Sequence, residues 1–418
     1  MSMDVTICDA RMGLGKTSAA ITEMNVNTAK NYMFITPYLR EVDRIINSCA
    51  SRDFCSPSGE KTNKLKDLQR LLAKKRCIAS THNLFLRCHS QPQVAELIRE
   101  GHYTLILDEV MDAIQNTKIA PVILKALVDS GTIQVDAMSG KISCDIPAEE
   151  CEGPYENALL TAKSGNAFVF EDSVMYWVYP PEIFEAFDEI IILTYMFESQ
   201  LLKHYFDLWG ATYRNVGVRK YRNTYQFCEG IPTNELLLGV SKLIHVCEDE
   251  ELNEVGEYEK AFSVGWYERQ NKMSISNVRE RIQKFFVRVR ASPVEHNLWT
   301  TFSKFEKRLS GELRGEGRKY APGHLAFNTR ATNDYREYRN LAFCVNVYRD
   351  PRLVAFLANR GIEVDEDAYA LSTLLQWIWR SAIRDGHEIW IYIPSSRMRG
   401  LLKTWIGEVD KGELGDSG

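Results

Sequence analysis

The sequence predicts an α/β protein of two domains, each with a mainly parallel sheet flanked by helices, and with an insertion in the first domain. Three observations support this prediction. The chain has 418 residues, a natural length for two domains. Short apolar runs alternate with longer segments of helical spacing, which is typical of parallel sheets covered by helices. Residues 115–185 interrupt the alternation with pieces rich in Gly, Pro and acidic residues, which indicates an insertion.

The first domain is expected to span residues 1–210. Its run at residues 104–107 is apolar without interruption, as strands buried on both faces are. The predicted strands of this domain are residues 5–8, 32–36, 77–80, 104–107 and 190–194. The predicted helices are residues 39–50 and 64–75.

The second domain is expected to span residues 211–418. Apolar runs recur here with helical segments between them, so a second parallel sheet is predicted. Its strands are expected at residues 242–247, 297–302, 325–327, 341–345 and 388–393. Its helices are expected at residues 275–288, 351–359 and 371–384.

The composition excludes several classes of protein. The formal net charge of −5 gives no overall attraction to nucleic acid, so any such contact needs local basic patches. The ten cysteines stand singly without a C-x-x-C pair, which predicts neither a zinc site nor a disulfide framework. The sequence shows neither a signal peptide nor an apolar run of roughly 18 residues, so we expect a cytoplasmic protein with no membrane partner.

Residues 10–17 read A-R-M-G-L-G-K-T and separate the first strand from a helix-like stretch. This pattern predicts a loop whose glycines let backbone N–H groups surround phosphate oxygens, with a lysine on the β- and γ-phosphates and a hydroxyl on Mg²⁺. We therefore expect ATP and Mg²⁺ as ligands, with a glycine-rich turn of no function as the alternative. The residues expected to bind the nucleotide are Gly13, Gly15, Lys16, Thr17 and Ser18, with Thr17 also a ligand of the metal.

Asp108 and Glu109 directly follow the apolar strand at residues 104–107. A carboxylate at the C-terminal end of a parallel strand can bind the Mg²⁺ of a phosphate-loop site, which is the role expected for Asp108. Glu109 can then orient and deprotonate the attacking water. An Asp–Glu pair can also be a simple helix N-cap, but the phosphate loop about ninety residues earlier favours the catalytic role.

Together these motifs resemble those of superfamily 2 helicases and translocases, in which motif I is A-x-x-G-x-G-K-T and motif II is D-E-x-x. The resemblance implies two RecA-like domains with ATP bound in the cleft between them. Residues 35–42 resemble motif Ia, residues 79–84 resemble the T-x-x motif before motif II, and residues 327–334 lie where motif V belongs. Residues 192–195 stand in place of motif III, where only Thr194 fits. The contacts to nucleic acid that the resemblance implies are Thr36, Pro37, Arg40, Thr81, His82, Thr329 and Arg330.

Residues 376–386 resemble motif VI, Q-x-x-G-R-x-x-R, and the chain looks like a phage-type branch of these helicases. Trp379 replaces the glycine of the motif, and the second arginine comes one residue late. A spacing of four keeps Arg380 and Arg384 on one helix face, so that either could neutralise charge on the γ-phosphate. The catalytic residues that the resemblance implies are therefore Glu109, Gln376, Arg380 and Arg384.

Basic residues interleaved with aromatic residues could contact nucleic acid, since aromatic rings stack on bases. Such clusters occur at residues 61–76, 214–222, 279–290 and 307–319. The alternative is that each cluster is a solvated face. Residues 279–290 would then be a helix with Phe285, Phe286 and Val287 in the core.

Two classes of function follow from these motifs. The first is an ATP-dependent helicase or translocase that acts in DNA replication, recombination or repair. Its partners would be single-stranded or duplex nucleic acid, with DNA favoured and replication proteins as further candidates, and a phage-encoded protein would work in the host cytoplasm. The second is a nucleic-acid-binding ATPase switch that does not unwind, which the weak motifs III and V favour. A small-molecule kinase would leave motif VI unexplained.

Overall fold

The computed structural model describes residues 3–59, 63–91, 93–147, 151, 155–230, 239–291, 293–310, 323–329 and 334–411. The chain divides into two compact units. Unit 1 comprises Met1–Gly230 and Asp350–Val364, and unit 2 comprises Ile231–Arg349 and Asp365–Gly418. None of the helices in the described ranges is both long enough and apolar enough to span a membrane.

The elements are numbered along the chain. The strands are β1 (Asp4–Asp9), β2 (Asn31–Thr36), β3 (Ile78–Thr81), β4 (Tyr103–Asp108), β5 (Ile114–Asn116), β6 (Gln134–Val135), β7 (Ile142–Ser143), β8 (Ala167–Phe170), β9 (Val174–Val178), β10 (Glu189–Thr194), β11 (Thr212–Tyr221), β12 (Thr224–Glu229), β13 (Ile244–Val246), β14 (Asn297–Thr300), β15 (Gly323–His324), β16 (Asn340–Phe343) and β17 (Ile389–Tyr392). The helices are α1 (Lys16–Val26), α2 (Leu39–Ser48), α3 (Lys64–Ala73), α4 (His82–Leu86), α5 (Gln93–Glu100), α6 (Pro121–Asp129), α7 (Glu156–Lys163), α8 (Pro181–Phe184), α9 (Leu201–Leu208), α10 (Glu250–Asn253), α11 (Val264–Arg269), α12 (Lys272–Lys284), α13 (Ser303–Ser310), α14 (Pro351–Ala358), α15 (Glu366–Ile378) and α16 (Ser396–Lys411).

Unit 1 is built on a seven-stranded sheet with the order β12-β11-β1-β10-β4-β2-β3. Its neighbouring strands are parallel except β11 and β12, which form an antiparallel hairpin. Ile7, Ile106 and Ile192 are buried, as expected in central strands that are covered on both faces. The predicted α/β class with a mainly parallel sheet is confirmed, and the five strands predicted before residue 210 match observed strands to within one residue.

The hairpin β11–β12 extends unit 1 beyond the expected boundary. We expected the first domain to end at residue 210, but β11 pairs with β1 from Asp4↔Thr212 to Ile7↔Asn215. Strand β12 then pairs with β11, so the sheet of unit 1 continues to Glu229. The boundary was misplaced because the side chains of β11 and β12 are mostly exposed or half-buried, so no apolar run marks residues 212–229 as strands of this sheet.

The segment between β4 and β10 forms a small antiparallel layer where the insertion was expected. It contains the sheet β5-β9-β8 and the pair β6–β7. Apolar residues of α6, α7 and these strands, among them Leu124, Leu159 and Met175, form one buried cluster. The insertion therefore has a hydrophobic core of its own.

Helix α14 belongs to unit 1, although we expected residues 211–418 to form one domain. The ring of Phe356 lies 4.8 Å from that of Tyr176 and 6.0 Å from that of Phe170. The Arg360 guanidinium lies 3.8 Å from the centre of the Phe356 ring and donates a hydrogen bond to the Ser139 carbonyl at 2.6 Å. Burial of this ring in the inserted layer explains why the helix packs with unit 1.

Unit 2 contains a five-stranded parallel sheet with the order β13-β17-β16-β14-β15. Strands predicted at 242–247, 297–302, 341–345 and 388–393 correspond to β13, β14, β16 and β17. The strand predicted at 325–327 is wrong, because the strand of this region is Gly323–His324. The chain turns directly afterwards, where the Thr329 N–H donates to the Ala326 carbonyl at 3.0 Å.

Candidate functional site

The C-terminal ends of β1, β4 and β10 lie side by side at one edge of the unit 1 sheet. These strands are parallel neighbours, with Asp9 paired to Thr194 and Asp108 paired to Leu193. Ligands of open α/β sheets bind outside the carboxyl ends of the strands. The loop of residues 10–15 and the Asp108–Glu109 pair, which the sequence singled out separately, therefore share this edge.

The loop between β1 and α1 has the backbone that a phosphate-binding loop requires. Gly13 and Gly15 have φ angles of 86° and 89°, in the left-handed region that glycine adopts without steric cost. Helix α1 begins at Lys16, so the N–H groups of its first turn, which includes Thr17 and Ser18, have no partner within the helix. Such a helix N-terminus with a glycine loop before it attracts anions.

The Lys16 ammonium lies inside this loop. Its Nζ donates hydrogen bonds to the carbonyl oxygens of Ala10 and Arg11, the latter at 3.2 Å. Burial lowers the pKa of Lys16, and the nearby Glu109 carboxylate opposes that shift. Because neutral carbonyls hold the ammonium, the charged oxygens of a phosphate would be stronger partners.

Thr17 and Asp108 contact one another, although they come from different motifs. The Thr17 Oγ1 donates to Asp108 Oδ1 at 3.3 Å. Burial, with a further contribution from the Glu109 charge, raises the pKa of Asp108 to about 7, and Lys16 acts in the opposite direction. A half-buried carboxylate beside a hydroxyl and a second carboxylate is an oxygen donor set of the kind that Mg²⁺ binds. These residues fit the expected metal.

Glu109 has a backbone conformation that is rare outside glycine. Its φ is 65°, and its N–H donates to the Leu193 carbonyl at 3.0 Å. Left-handed φ angles at non-glycine residues cluster at functional sites, where the surrounding structure holds the strain. The charge of Glu109 contributes to the raised pKa of the preceding Asp108.

Asp9 belongs to this site, and the sequence did not single it out. Its carboxylate accepts hydrogen bonds from the backbone N–H groups of Met196 at 2.8 Å and Phe197 at 2.7 Å. Burial raises the pKa of Asp9, while these two hydrogen bonds lower it. Asp9 thereby fastens the segment after β10 to the start of the phosphate loop. The sequence feature that could have identified Asp9 is its place as an acidic residue at the end of the first predicted strand.

Thr81 and His82 contact neighbouring protein groups in the described structure. The Thr81 Oγ1 caps α4 by accepting the Leu84 N–H at 3.4 Å. The buried His82 places Nε2 3.1 Å from the Asp108 carbonyl oxygen. His82 thus supports the strand end that carries the acidic pair, and contact of either residue with nucleic acid stays a prediction.

The other expected nucleic-acid contacts differ in exposure. Thr36 is buried at the end of β2, and no hydrogen-bond partner for its Oγ1 occurs among the described residues. Pro37 is half-buried and Arg40 is exposed, with the Arg40 guanidinium 5.7 Å from the Tyr38 ring centre. Of the motif V pair, Thr329 lies in a turn of unit 2 and Arg330 lies outside the described residues.

Arg380 and Arg384 do not share a helix face, so that part of the motif VI prediction is wrong. Helix α15 ends at Ile378, where the Ser381 Oγ donates to the Ile378 carbonyl at 2.6 Å. Ser381 has an extended backbone, and Arg384 lies in a separate 3₁₀ turn, Ala382–Asp385. A serine hydroxyl that bonds to the last carbonyl of a helix competes with the next backbone hydrogen bond, so the helix can end there. The four-residue spacing of the two arginines carries no information about this helix end.

Two further features of motif VI lie in unit 2. Gln376 is half-buried in the last turn of α15. Trp379, in place of the motif glycine, is buried and packs edge-on against Trp405 with ring centres 5.9 Å apart. The departure from the motif is therefore explained by packing.

The basic cluster at residues 279–290 makes contacts within unit 2. Arg281 pairs with Glu254 at 3.1 Å, and the Arg290 guanidinium lies 3.8 Å from the centre of the Trp390 ring. Val287 was expected in the core but is 41% exposed, because residues 285–289 form a π-helical turn that changes which side chains face inward. The buried aromatic residues of the cluster are Phe285 and Phe286, as expected.

The fold belongs to a known class, the α/β architecture of two RecA-like domains, each with a mainly parallel sheet flanked by helices. The chain is similar to Xpd4 from S. tokodaii with a TM-score of 0.52 over 96% of this chain and 94% of that one. The two sequences are 13% identical, so the similarity is one of fold.

Comparison of the sequence with known proteins identifies the family. Residues 239–406 match the family model of the YonV C-terminal Rossmann-like domain. The SPbeta prophage-derived protein YonV of Bacillus subtilis (strain 168) is 35% identical over 419 residues, covering 96% of this chain and 98% of YonV. The chain belongs to the YonV family.

Proposed function

We propose that this protein is an ATP-dependent nucleic-acid helicase or translocase that acts on DNA in replication, recombination or repair. The observation that carries the proposal is the hydrogen bond from Thr17 Oγ1 to Asp108 Oδ1. It joins the phosphate loop to the acidic pair at the sheet edge where nucleotides bind in α/β folds. The resemblance of residues 10–17 and of the Asp108–Glu109 pair to motifs I and II of superfamily 2 helicases supports a role on nucleic acid.

The residues of unit 1 divide the work of ATP binding and hydrolysis. The N–H groups of the loop and the Lys16 ammonium hold the β- and γ-phosphates. Thr17 and Asp108 would hold Mg²⁺, which would neutralise charge on the phosphates. Glu109 orients the attacking water and accepts its proton. Asp9 holds the start of the loop to the segment after β10 by accepting a backbone hydrogen bond. His82 supports the end of β4 through its contact with the Asp108 carbonyl oxygen.

The Lys16→Ala variant tests the proposed site. We expect it to bind ATP weakly and to lose hydrolysis, because the phosphate charge loses its cation. The measurement is ATP turnover with no nucleic acid, with single-stranded DNA, with duplex DNA and with RNA. The matched control is Lys30→Ala, which removes an exposed lysine that pairs with Glu189 at 2.7 Å.

The outcomes separate the hypotheses. Turnover by Lys16→Ala at the wild-type rate would refute the site. If nucleic acid stimulates wild-type turnover but a labelled duplex is not separated, the protein translocates or acts as a switch. If no nucleic acid changes the rate, the proposal of a nucleic-acid motor fails while the ATP site stands.

A further inference from the structure

Tyr225 lies against the phosphate loop. It stands on β12 opposite Lys220 of β11. A Cβ atom added at Gly15 would come within 2.6 Å of Tyr225 Cε1 and 2.8 Å of Cγ. Because Gly15 directly precedes α1, the ring borders the helix N-terminus at which we place the phosphates.

The hairpin holds this ring beside the loop. Exposure alternates along β12, with Thr224 and Gln226 exposed and Tyr225 and Phe227 half-buried. Both half-buried rings pack against the core cluster that contains Ala19 of α1. Successive side chains of a strand point to opposite faces, so Tyr225 is directed toward α1. Tyr225 as a whole keeps part of its surface exposed.

We propose that Tyr225 is the platform on which the base of the bound nucleotide stacks. The inference rests on the proposed ATP site, since a base has to lie beside the loop that holds its phosphates. An aromatic ring stacks well on any base, because every base has a π-face. A platform of this kind does not distinguish adenine from guanine, so we expect ATP and GTP to bind with similar affinity.

The Lys220 ammonium lies over the same ring, 5.9 Å from its centre. An exposed cation–π contact at this distance is weaker than the stacking of a base on an aromatic ring. The Lys220 side chain is exposed, so it can move off the ring when a base stacks there and still remain near the nucleotide. The same ammonium then neutralises part of the charge that the nucleotide brings.

Calorimetric titration of the full chain with the Mg²⁺ complexes of ATP, GTP and tripolyphosphate tests the platform. Tyr225→Ala is expected to raise the Kd for both nucleotides about tenfold or more. Its Kd for tripolyphosphate, which has no base, should stay within about twofold of wild type. Tyr225→Phe should bind all three like wild type. Tyr221→Ala, which removes a half-exposed ring from the same hairpin, is the matched control.

Three results would overturn the inference. One is unchanged nucleotide affinity in Tyr225→Ala. Another is equal weakening of ATP and tripolyphosphate, which would mean that the ring only shapes the loop. The third is strong discrimination between ATP and GTP by the wild type. The Lys16→Ala variant separates this inference from the proposed site. If Lys16→Ala binds all three ligands with wild-type affinity, the ATP site itself is misassigned. If Lys16→Ala loses binding while Tyr225→Ala binds with wild-type affinity, only the stacking platform is rejected.

Discussion

At the scale of single residues, Glu109 combines a strained backbone with a proposed catalytic carboxylate. Its φ of 65° costs on the order of 1–3 kcal/mol at a non-glycine residue. The sheet holds this conformation through the hydrogen bond from the Glu109 N–H to the Leu193 carbonyl. The strain is consistent with a site in which the position of one side chain matters more than local stability.

Glu109→Gln tests the proposed role of the carboxylate. The amide keeps the size of the side chain but cannot accept a proton from water, so we expect kcat to fall about 10²- to 10⁴-fold. Asp108 and Thr17 are unchanged, so the Kd for ATP should stay within about twofold. Steady-state hydrolysis with single-stranded DNA and calorimetric titration measure the two quantities. Loss of ATP binding in a folded Glu109→Gln protein would instead indicate a structural role.

At the scale of elements, α14 shows how a helix can belong to a unit other than that of its flanking sequence. Its Phe356 is buried among aromatic rings of the inserted layer. Deep burial of one ring accounts for the association better than the surface pairs do, because exposed pairs contribute little.

Phe356→Ala is expected to destabilise unit 1 by about 3–5 kcal/mol, because it removes buried apolar surface and leaves a cavity. Urea denaturation measures the change in the free energy of unfolding. The control Asn359→Ala alters an exposed residue at the end of the same helix and should change stability by less than about 0.5 kcal/mol. Equal stability of the Phe356→Ala and control proteins would mean that α14 is not anchored through this ring.

At the scale of the whole molecule, the chain passes from unit 1 to unit 2, returns for Asp350–Val364 and enters unit 2 again. The phosphate loop and the acidic pair lie in unit 1, and the motif VI residues lie in unit 2. Hydrolysis that needed both sets of residues would depend on both units, as the resemblance to helicases implies.

Arg380→Ala and Arg384→Ala test this dependence. If one of them neutralises charge in the transition state, its removal should lower turnover about 10³-fold or more while ATP still binds. Hydrolysis and ATP affinity are measured separately, with Arg352→Ala as a control that removes an exposed arginine. Normal DNA-stimulated turnover in both variants and in the double variant would show that motif VI has no catalytic part here.

The sequence by itself determined five of the seven strands of the unit 1 sheet, the helices α2 and α3, the glycine loop before α1 and the acidic pair after β4. These features depend on local properties. Apolar runs form buried strands, and glycine permits the left-handed angles at Gly13 and Gly15. The acidic pair lies at the end of an apolar strand, so its place at the sheet edge follows from that strand. The adjacency of the two motifs also followed, because parallel strands place their C-terminal ends at one edge.

The tertiary structure alone decided which distant groups meet. Tyr225 borders Gly15, Asp9 binds the backbone after β10, and α14 packs with unit 1. The end of α15 at Ile378 is likewise set by its surroundings, since the burial of Trp379 against Trp405 and the Ser381 hydrogen bond outweigh the helical pattern of residues 371–384. Such contacts join residues far apart in the chain, and their energies depend on packing that no local pattern encodes.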